Sequence, residues 1–333
     1  MLEILITLVL AVHLFAVNVG AAGPLCCVWL HRQESRYENV AAGYIGRQLA
    51  PLSVTLLSLG VMLGMVLLWL LWWADDRAYL AALSQIPMTR YWYGMGELVF
   101  SFVLMAAYML LWDRMRKHPN WHALLAILAS TNLLYHFPPL LTIIAVISTR
   151  PELEGVWIDS STYHQLLFDG EVLSRVLHVW LASFAVTALV VMGYAAKIAR
   201  LDAYRHEALI VASWGARLAL GPTLAQLLVG VWVTVALSDE ARFAVMGEDL
   251  LASGLLVASI LTSLVLLHFL AAVAMGEVTQ RAVWRCAMLM ALVIVLMSGV
   301  LRRARTVAAR DVPATAPSSV SNPVANTIVG SNK

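Results

Sequence analysis

The sequence predicts an all-α fold, a polytopic membrane helix bundle of about eight transmembrane helices with its N-terminus outside. Three observations predict it. Hydrophobic residues make up 61% of the 333-residue chain, well above the roughly half that is usual in soluble domains. They fall into runs of about twenty or more residues, the length that crosses a hydrocarbon layer of ~30 Å. Charged residues, 13% of the chain, gather between those runs as loop charges do in multi-pass proteins.

The first run covers about residues 2–30. Its stretch VNVGAAG offers the small residues of a signal-peptide cleavage site. Its leader is nevertheless acidic at Glu3 and lacks Lys and Arg, and the apolar run continues through Trp29, so a retained helix is expected. Further runs follow at about 50–74, 93–112 and 121–148, the last interrupted by Pro138-Pro139, a kinking pair. The fifth, about 170–197, reads GEVLSRVLHVWLASFAVTALVVMGYAAK. The sixth, about 207–237, contains Gly221-Pro222, and the last two occupy about 249–275 and 282–301. From about 306 the chain turns Pro/Ser/Ala-rich, which predicts a disordered tail over 306–333 behind a bundle of 1–305. The longest loops hold about twenty residues, so any chemistry must lie in the bundle.

The net charge of +2 gives no footing for nucleic-acid binding. Cys26, Cys27 and Cys286 all lie in apolar runs without CxxC spacing, which is the pattern of packing residues and not of a zinc site or disulfide framework. Orientation follows from the loops. Odd-numbered loops carry Arg32, Arg36 and Arg47; Arg114, Arg116 and Lys117; Lys197, Arg200 and Arg205; and Arg281 and Arg285. Even-numbered loops carry only Arg77 and Arg90, then Arg150, then Arg242. The positive-inside rule therefore places the N-terminus outside. One set of charges resists this assignment: Arg302, Arg303, Arg305 and Arg310 follow the eighth run on the outer side.

Depth converts positions into a candidate site. At ~1.5 Å per residue, His13, His136 and His178 lie roughly 16, 18 and 12 Å from the outer end of their helices, and Gln226 roughly 16 Å. Glu97 and Ser101 fall in the first turns of the third run, whereas His268 lies near the inner end of the seventh. Histidines at lipid depth serve haem ligation, proton relay or interhelical hydrogen bonding. Three at one level on three helices favour a cofactor, because bundles build haem sites from facing helices. Arg175 shares a helix face with His178. It suits either a haem propionate or an ordinary pair with Glu171 one turn back.

The stretch WDRMRKHPNWHALLAILASTNLL, from Trp112 to Leu134, resembles the turn between the third and fourth helices of subunit I in cytochrome bd-type quinol oxidases. SRVLHVWLASFAVTALVVMGYAA resembles that family's fifth helix, and HLFAVNVGAAGPL its first. The resemblance covers about residues 1–200. It implies that His178 is an axial ligand of a low-spin haem b and that His13 ligates a high-spin haem, their iron being the bound metal. It further implies a bacterial or archaeal inner-membrane location, a quinol or partner cytochrome as electron donor, and other membrane subunits as partners.

The departures from the family pattern are specific. The family's two helix-three glutamates fall at Tyr93 and Ser101, with Glu97 midway and one turn from each; Glu97 is the candidate proton carrier, the catalytic role in oxygen reduction. The family's methionine on the seventh helix has no counterpart in EDLLASGLLVAS. Met246 just before that helix is the nearest sulfur, Met297 is another, and His136 is a reserve ligand. The long hydrophilic loop associated with quinol binding is replaced by SDEARFAVMGED, and a ninth helix is absent. The sequence thus predicts a haem-b-binding electron-transfer subunit, with quinol oxidation or oxygen reduction a further possibility. The competing expectation is a cofactor-free transporter or a scaffold of a respiratory assembly.

Overall fold

The computed structural model describes residues 1–310. Eight of its helices are long and apolar enough to span a membrane: α1 (Leu2–Tyr37), α2 (Val40–Trp73), α4 (Met88–Leu110), α5 (Pro119–Ile147), α7 (Gly170–Ile198), α8 (Arg205–Ala236), α10 (Leu250–Ala274) and α11 (Gln280–Arg310). Three short helices, α3 (Arg77–Gln85), α6 (Ser160–Leu167) and α9 (Asp239–Phe243), lie in the connections. Among the described residues there is no strand. The chain is a multi-pass membrane protein.

Capping chemistry sets the helix starts. Asn39, Asp76, Asp159, Asp169 and Asp249 each accept a backbone N–H from the first turn of the helix they precede, satisfying donors left without intrahelical partners. Two helices outrun the apolar runs of the sequence. α1 continues through His31, Arg32, Glu34 and Arg36 to Tyr37, and α2 begins at Val40 rather than near 50. Polar residues continue a helix once it has left the lipid, so hydropathy marks the hydrocarbon layer and not the helix end. α5 and α8 run unbroken through Pro138-Pro139 and Pro222. α11 also extends beyond 305 to Arg310; the remainder of the expected tail lies outside the described residues.

Neighbours in sequence pair as hairpins: α1 with α2, α4 with α5, α7 with α8, and α10 with α11. α1 and α7 run together through the middle. The largest apolar core occupies the half of the bundle away from the N-terminus. Leu30, Ile45, Leu49, Met192, Leu266 and Leu270 are buried there among alanines that let the helices approach. A second core joins α3, α5, α6 and α7 at the N-terminal face.

That face also explains three of the arginines that resist the charge count, Arg302, Arg303 and Arg305. Arg302 pairs with Glu3 at 2.8 Å and with Asp76 at 3.1 Å, Arg305 pairs with Asp76, and Arg303 grips Asp249 at 2.5 Å. These cations belong to a clasp that holds the last helix against the first, the start of α3 and the 237–249 connection. Arg303 and the capped N–H groups hold the Asp249 carboxyl down at about 2, so the Asp249–Arg303 pair keeps its charge throughout the neutral range.

Candidate functional site

Two hydrogen bonds set the register of the central helices. Ser183 Oγ on α7 donates to Asn18 Oδ1 on α1 at 2.8 Å, both groups being buried. α1 and α7 cross in the same direction, so five residues back from each of these positions, His13 and His178 stand at one level. Trp180 Nε1 donates to the Leu134 carbonyl at 2.8 Å, which brings α5 beside α7 two residues from His136 and two from His178. The polar layer counted from the sequence is therefore also a layer in space. Asn18 and Asn132, which help to organise it, escaped sequence reasoning because an asparagine in an apolar run carries no chemistry of its own.

The three histidines have three different surroundings. His13 Nδ1 lies 2.8 Å from the Gly60 carbonyl oxygen. A carbonyl only accepts, so the proton sits on Nδ1 and Nε2 keeps a free lone pair, the arrangement found in metal-binding imidazoles. Gly64 makes room for this ring: a Cβ built there would stand 3.2 Å from His13 Cε1. Gly64→Val is expected to push the ring off its carbonyl and lower stability by about 1–3 kcal/mol, the usual cost of overpacking. Gly64→Ala should cost much less, and the two melting midpoints in detergent measure the difference.

His178 differs. Its Nδ1 is buried without a hydrogen-bond partner, while the Gln226 amide nitrogen lies 3.4 Å from both its Nε2 and its carbonyl oxygen. A buried ring nitrogen without a partner is costly and calls for an explanation. His136 Nε2 faces Glu97 Oε1 at 4.0 Å, both side chains being partly exposed. Asn132 donates to the Glu97 carbonyl and to Ser101 Oγ, each at 2.9 Å, and so fixes α4 against α5 at this level.

One turn before His178, Arg175 pairs with Glu171, which is 1% exposed and also accepts from Arg150 at 3.0 Å. Arg150 reaches both oxygens of Asp169 at 2.9 and 3.0 Å. Burial pushes the Asp169 carboxyl up, but Arg150 and the cap N–H groups outweigh it and hold the group below the usual carboxylate range. Of the two partners the sequence offers Arg175, the structure contains Glu171.

The remaining candidates stand apart. Met246 lies in the turn before α10 and is 68% exposed. His268 is an exposed residue of α10, edge-on to Phe269. Arg217 and Ser213 of α8 both donate to the Ala274 carbonyl at the end of α10. Sequence reasoning passed over His122, which is buried at the other end of the bundle. It stacks on Tyr108 with centroids 4.0 Å apart, and its Nε2 lies 2.8 Å from the Tyr108 carbonyl oxygen. Its place in HPNWHALL was a usable signal, since this is another histidine at the edge of an apolar run. Among the described residues no three His, Cys, Asp or Glu side chains converge to chelate an ion. Haem iron needs only one or two axial side chains, so His13 and His178 fit that demand singly, the first by its free Nε2 and the second by its unpartnered nitrogen.

No family model matches the chain, and no curated protein matches it. Among solved structures it is similar to the bd oxidase from Geobacillus thermodenitrificans, with a TM-score of 0.69 at 14% identity, over 91% of this chain and 86% of that one. The chain has a bd-oxidase-like fold. The likeness covers more of the chain than the sequence resemblance, which fades past residue 200.

Proposed function

We propose that this chain is a haem-b-binding subunit of a membrane electron-transfer complex, taking electrons from a quinol or a partner cytochrome. The observation that carries this reading is the pairing of His13 and His178 at one level of two adjacent helices. The first has its Nδ1 proton committed to Gly60 and the second has a buried nitrogen without a partner. Unpartnered imidazole nitrogens at lipid depth are disfavoured unless they have a ligand to bind. The bd-oxidase-like fold and the family resemblance of the helices that hold both residues support the same conclusion.

In this reading His13 and His178 hold haem iron, with His136 as a reserve ligand and Met246 as the candidate thioether. Bound haem supplies reversible one-electron iron chemistry, its potential set by ligand type and burial. Gly60 orients His13 by accepting its Nδ1 proton. Gln226 and the Trp180–Leu134 hydrogen bond position α7 around His178. Arg175, steadied by Glu171, has guanidinium N–H groups left for a propionate. The Glu97–His136 pair is the candidate carrier of protons if oxygen is reduced, with Asn132 and Ser101 holding its helix in place. Additional membrane subunits and a bacterial or archaeal inner membrane belong to the same proposal.

The test is a dithionite-reduced minus oxidised spectrum of protein purified from haem-supplied cells. A Soret band and an α-band are expected. A flat difference spectrum from such material rejects the proposal.

A further inference from the structure

At the N-terminal face, α3 and the segment 148–169 form a cap over the ends of the spanning helices. The two are joined where the Ile158 N–H donates to the Gln85 carbonyl at 3.1 Å. Tyr91 Oη donates to the Leu83 carbonyl at 2.7 Å, and Arg90 lies 3.6 Å over the ring of Tyr163, so α4 and α6 lock the same cap. Between α3 and the 148–169 segment lies a cavity of about 350 Å³, lined by Ala81, Ser84, Gln85, Glu154, Gly155 and Trp157. Ile86 and Ile158, next in the chain to Gln85 and Trp157, are buried in the apolar core beneath. Both walls are therefore held in place before a ligand arrives, which lowers the entropic cost of binding.

The lining is rich in electrons. Gln85 is only 8% exposed, and its Oε1 is buried without a hydrogen-bond partner, a costly state until a donor meets it. The Ser84 hydroxyl commits its one proton to the Ala81 carbonyl at 2.7 Å, so its lone pairs remain. Glu154 is exposed and joins no ion pair among the described residues. Trp157, 61% exposed, adds an indole, whose face is negative. Gly155, at φ 72°, turns the chain between those two side chains. No Lys, Arg or His lines the cavity. An anion therefore meets no positive charge, and a neutral alcohol leaves Glu154 without a counter-charge. A calcium ion needs more oxygens than one carboxylate, one amide and one hydroxyl supply. An organic cation bearing N–H groups suits every member: the two acceptors by hydrogen bonds, the carboxylate by charge and the indole by a cation–π contact.

We propose that this cavity binds a primary ammonium group. Its N–H groups donate to Gln85 Oε1 and Ser84 Oγ, its charge lies beside Glu154, and Trp157 covers it. A quaternary ammonium carries the same charge but no N–H, so it leaves both acceptors unmet. Because the cavity lies at the ends of spanning helices, two carriers of the group reach it. One is the ethanolamine headgroup of a membrane phospholipid, the other a free diamine in the surrounding water. The site rests on its lining alone and is independent of haem.

The experiment titrates putrescine into the detergent-solubilised full chain and follows binding by calorimetry. Binding is expected. Glu154→Gln and Trp157→Ala, both at exposed positions that folding does not need, should each weaken it about tenfold. Gln85→Leu should weaken it by a similar factor while the melting midpoint stays near that of wild type. Tetramethylammonium should bind about tenfold more weakly than putrescine, or less. Short-chain phosphatidylethanolamine and phosphatidylcholine separate the carriers. Displacement of putrescine by the first lipid alone assigns the site to a lipid headgroup, and displacement by neither assigns it to a free diamine; both results keep the ammonium site. Displacement by both lipids alike overturns it, since phosphatidylcholine has no N–H to give. So does a chain that binds neither putrescine nor phosphatidylethanolamine, or binding that is unchanged in both Glu154→Gln and Trp157→Ala. Calcium that displaces putrescine at equal concentration also overturns it, in favour of a metal site.

Discussion

His178→Ala is expected to abolish the low-spin haem α-band in the reduced minus oxidised spectrum while leaving the protein folded. Replacing the imidazole removes a side chain on the central helix α7 whose buried nitrogen has no partner. The fold should tolerate the loss, since the ring contributes a single long contact to Gln226 at 3.4 Å and its own nitrogen is unsatisfied without a ligand. Truncation thus trades a void for relief of a desolvated polar atom, two effects of opposite sign. His13→Ala should instead remove a separate, high-spin contribution and leave the α-band. His136→Ala, at a partly exposed pair with Glu97, should leave both. Survival of the α-band in His178→Ala sinks the ligand assignment even if haem is present. Loss of all haem in every one of the three variants points to a collapsed site and not to three roles.

The eight spans were legible in the sequence because lipid imposes one rule: backbone groups must be satisfied within each segment, so an apolar run of sufficient length is a helix. Helix ends were not legible, because beyond the lipid that rule lapses and local capping by Asn39 or Asp249 decides. The level of His13 and His178 could be counted at a fixed rise per residue. Gln226 could be counted to the same layer, but its approach to His178, like that of Gly60 and Gly64 to His13, could not, because helix rotation depends on packing. The clasp at Arg302, Arg303 and Arg305 illustrates the same limit. A loop tally counts those arginines as free positive charge, whereas Asp76 lies 226 residues away from Arg302 in the chain and yet is its partner.

Glu171→Ala is expected to be the most destabilising substitution in the N-terminal half of the bundle, at about 3–5 kcal/mol, the usual loss when one member of a buried ion pair is removed. Glu171 is 1% exposed and serves two guanidinium groups, Arg175 one turn on and Arg150 from the end of α5. Arg150 keeps Asp169 after the change, but Arg175 would lose its paired carboxylate, keeping only the more distant Asp169 that Arg150 already engages, and would face that second cation. Glu171→Gln retains the shape and a hydrogen-bond acceptor, so it should fall between wild type and Glu171→Ala. Asp113→Ala is the control: its pair with Arg47 at 2.6 Å is shorter than most, but both side chains are more than half exposed. Its loss should cost less than about 1 kcal/mol. Thermal melting in detergent, with and without added haem, ranks the three. If Glu171→Ala melts with Asp113→Ala, water reaches the network and Arg175 is solvated. If haem restores part of the loss in Glu171→Ala, an anion carried by the haem has taken the place of the missing carboxylate beside Arg175, which is the propionate contact the sequence first allowed.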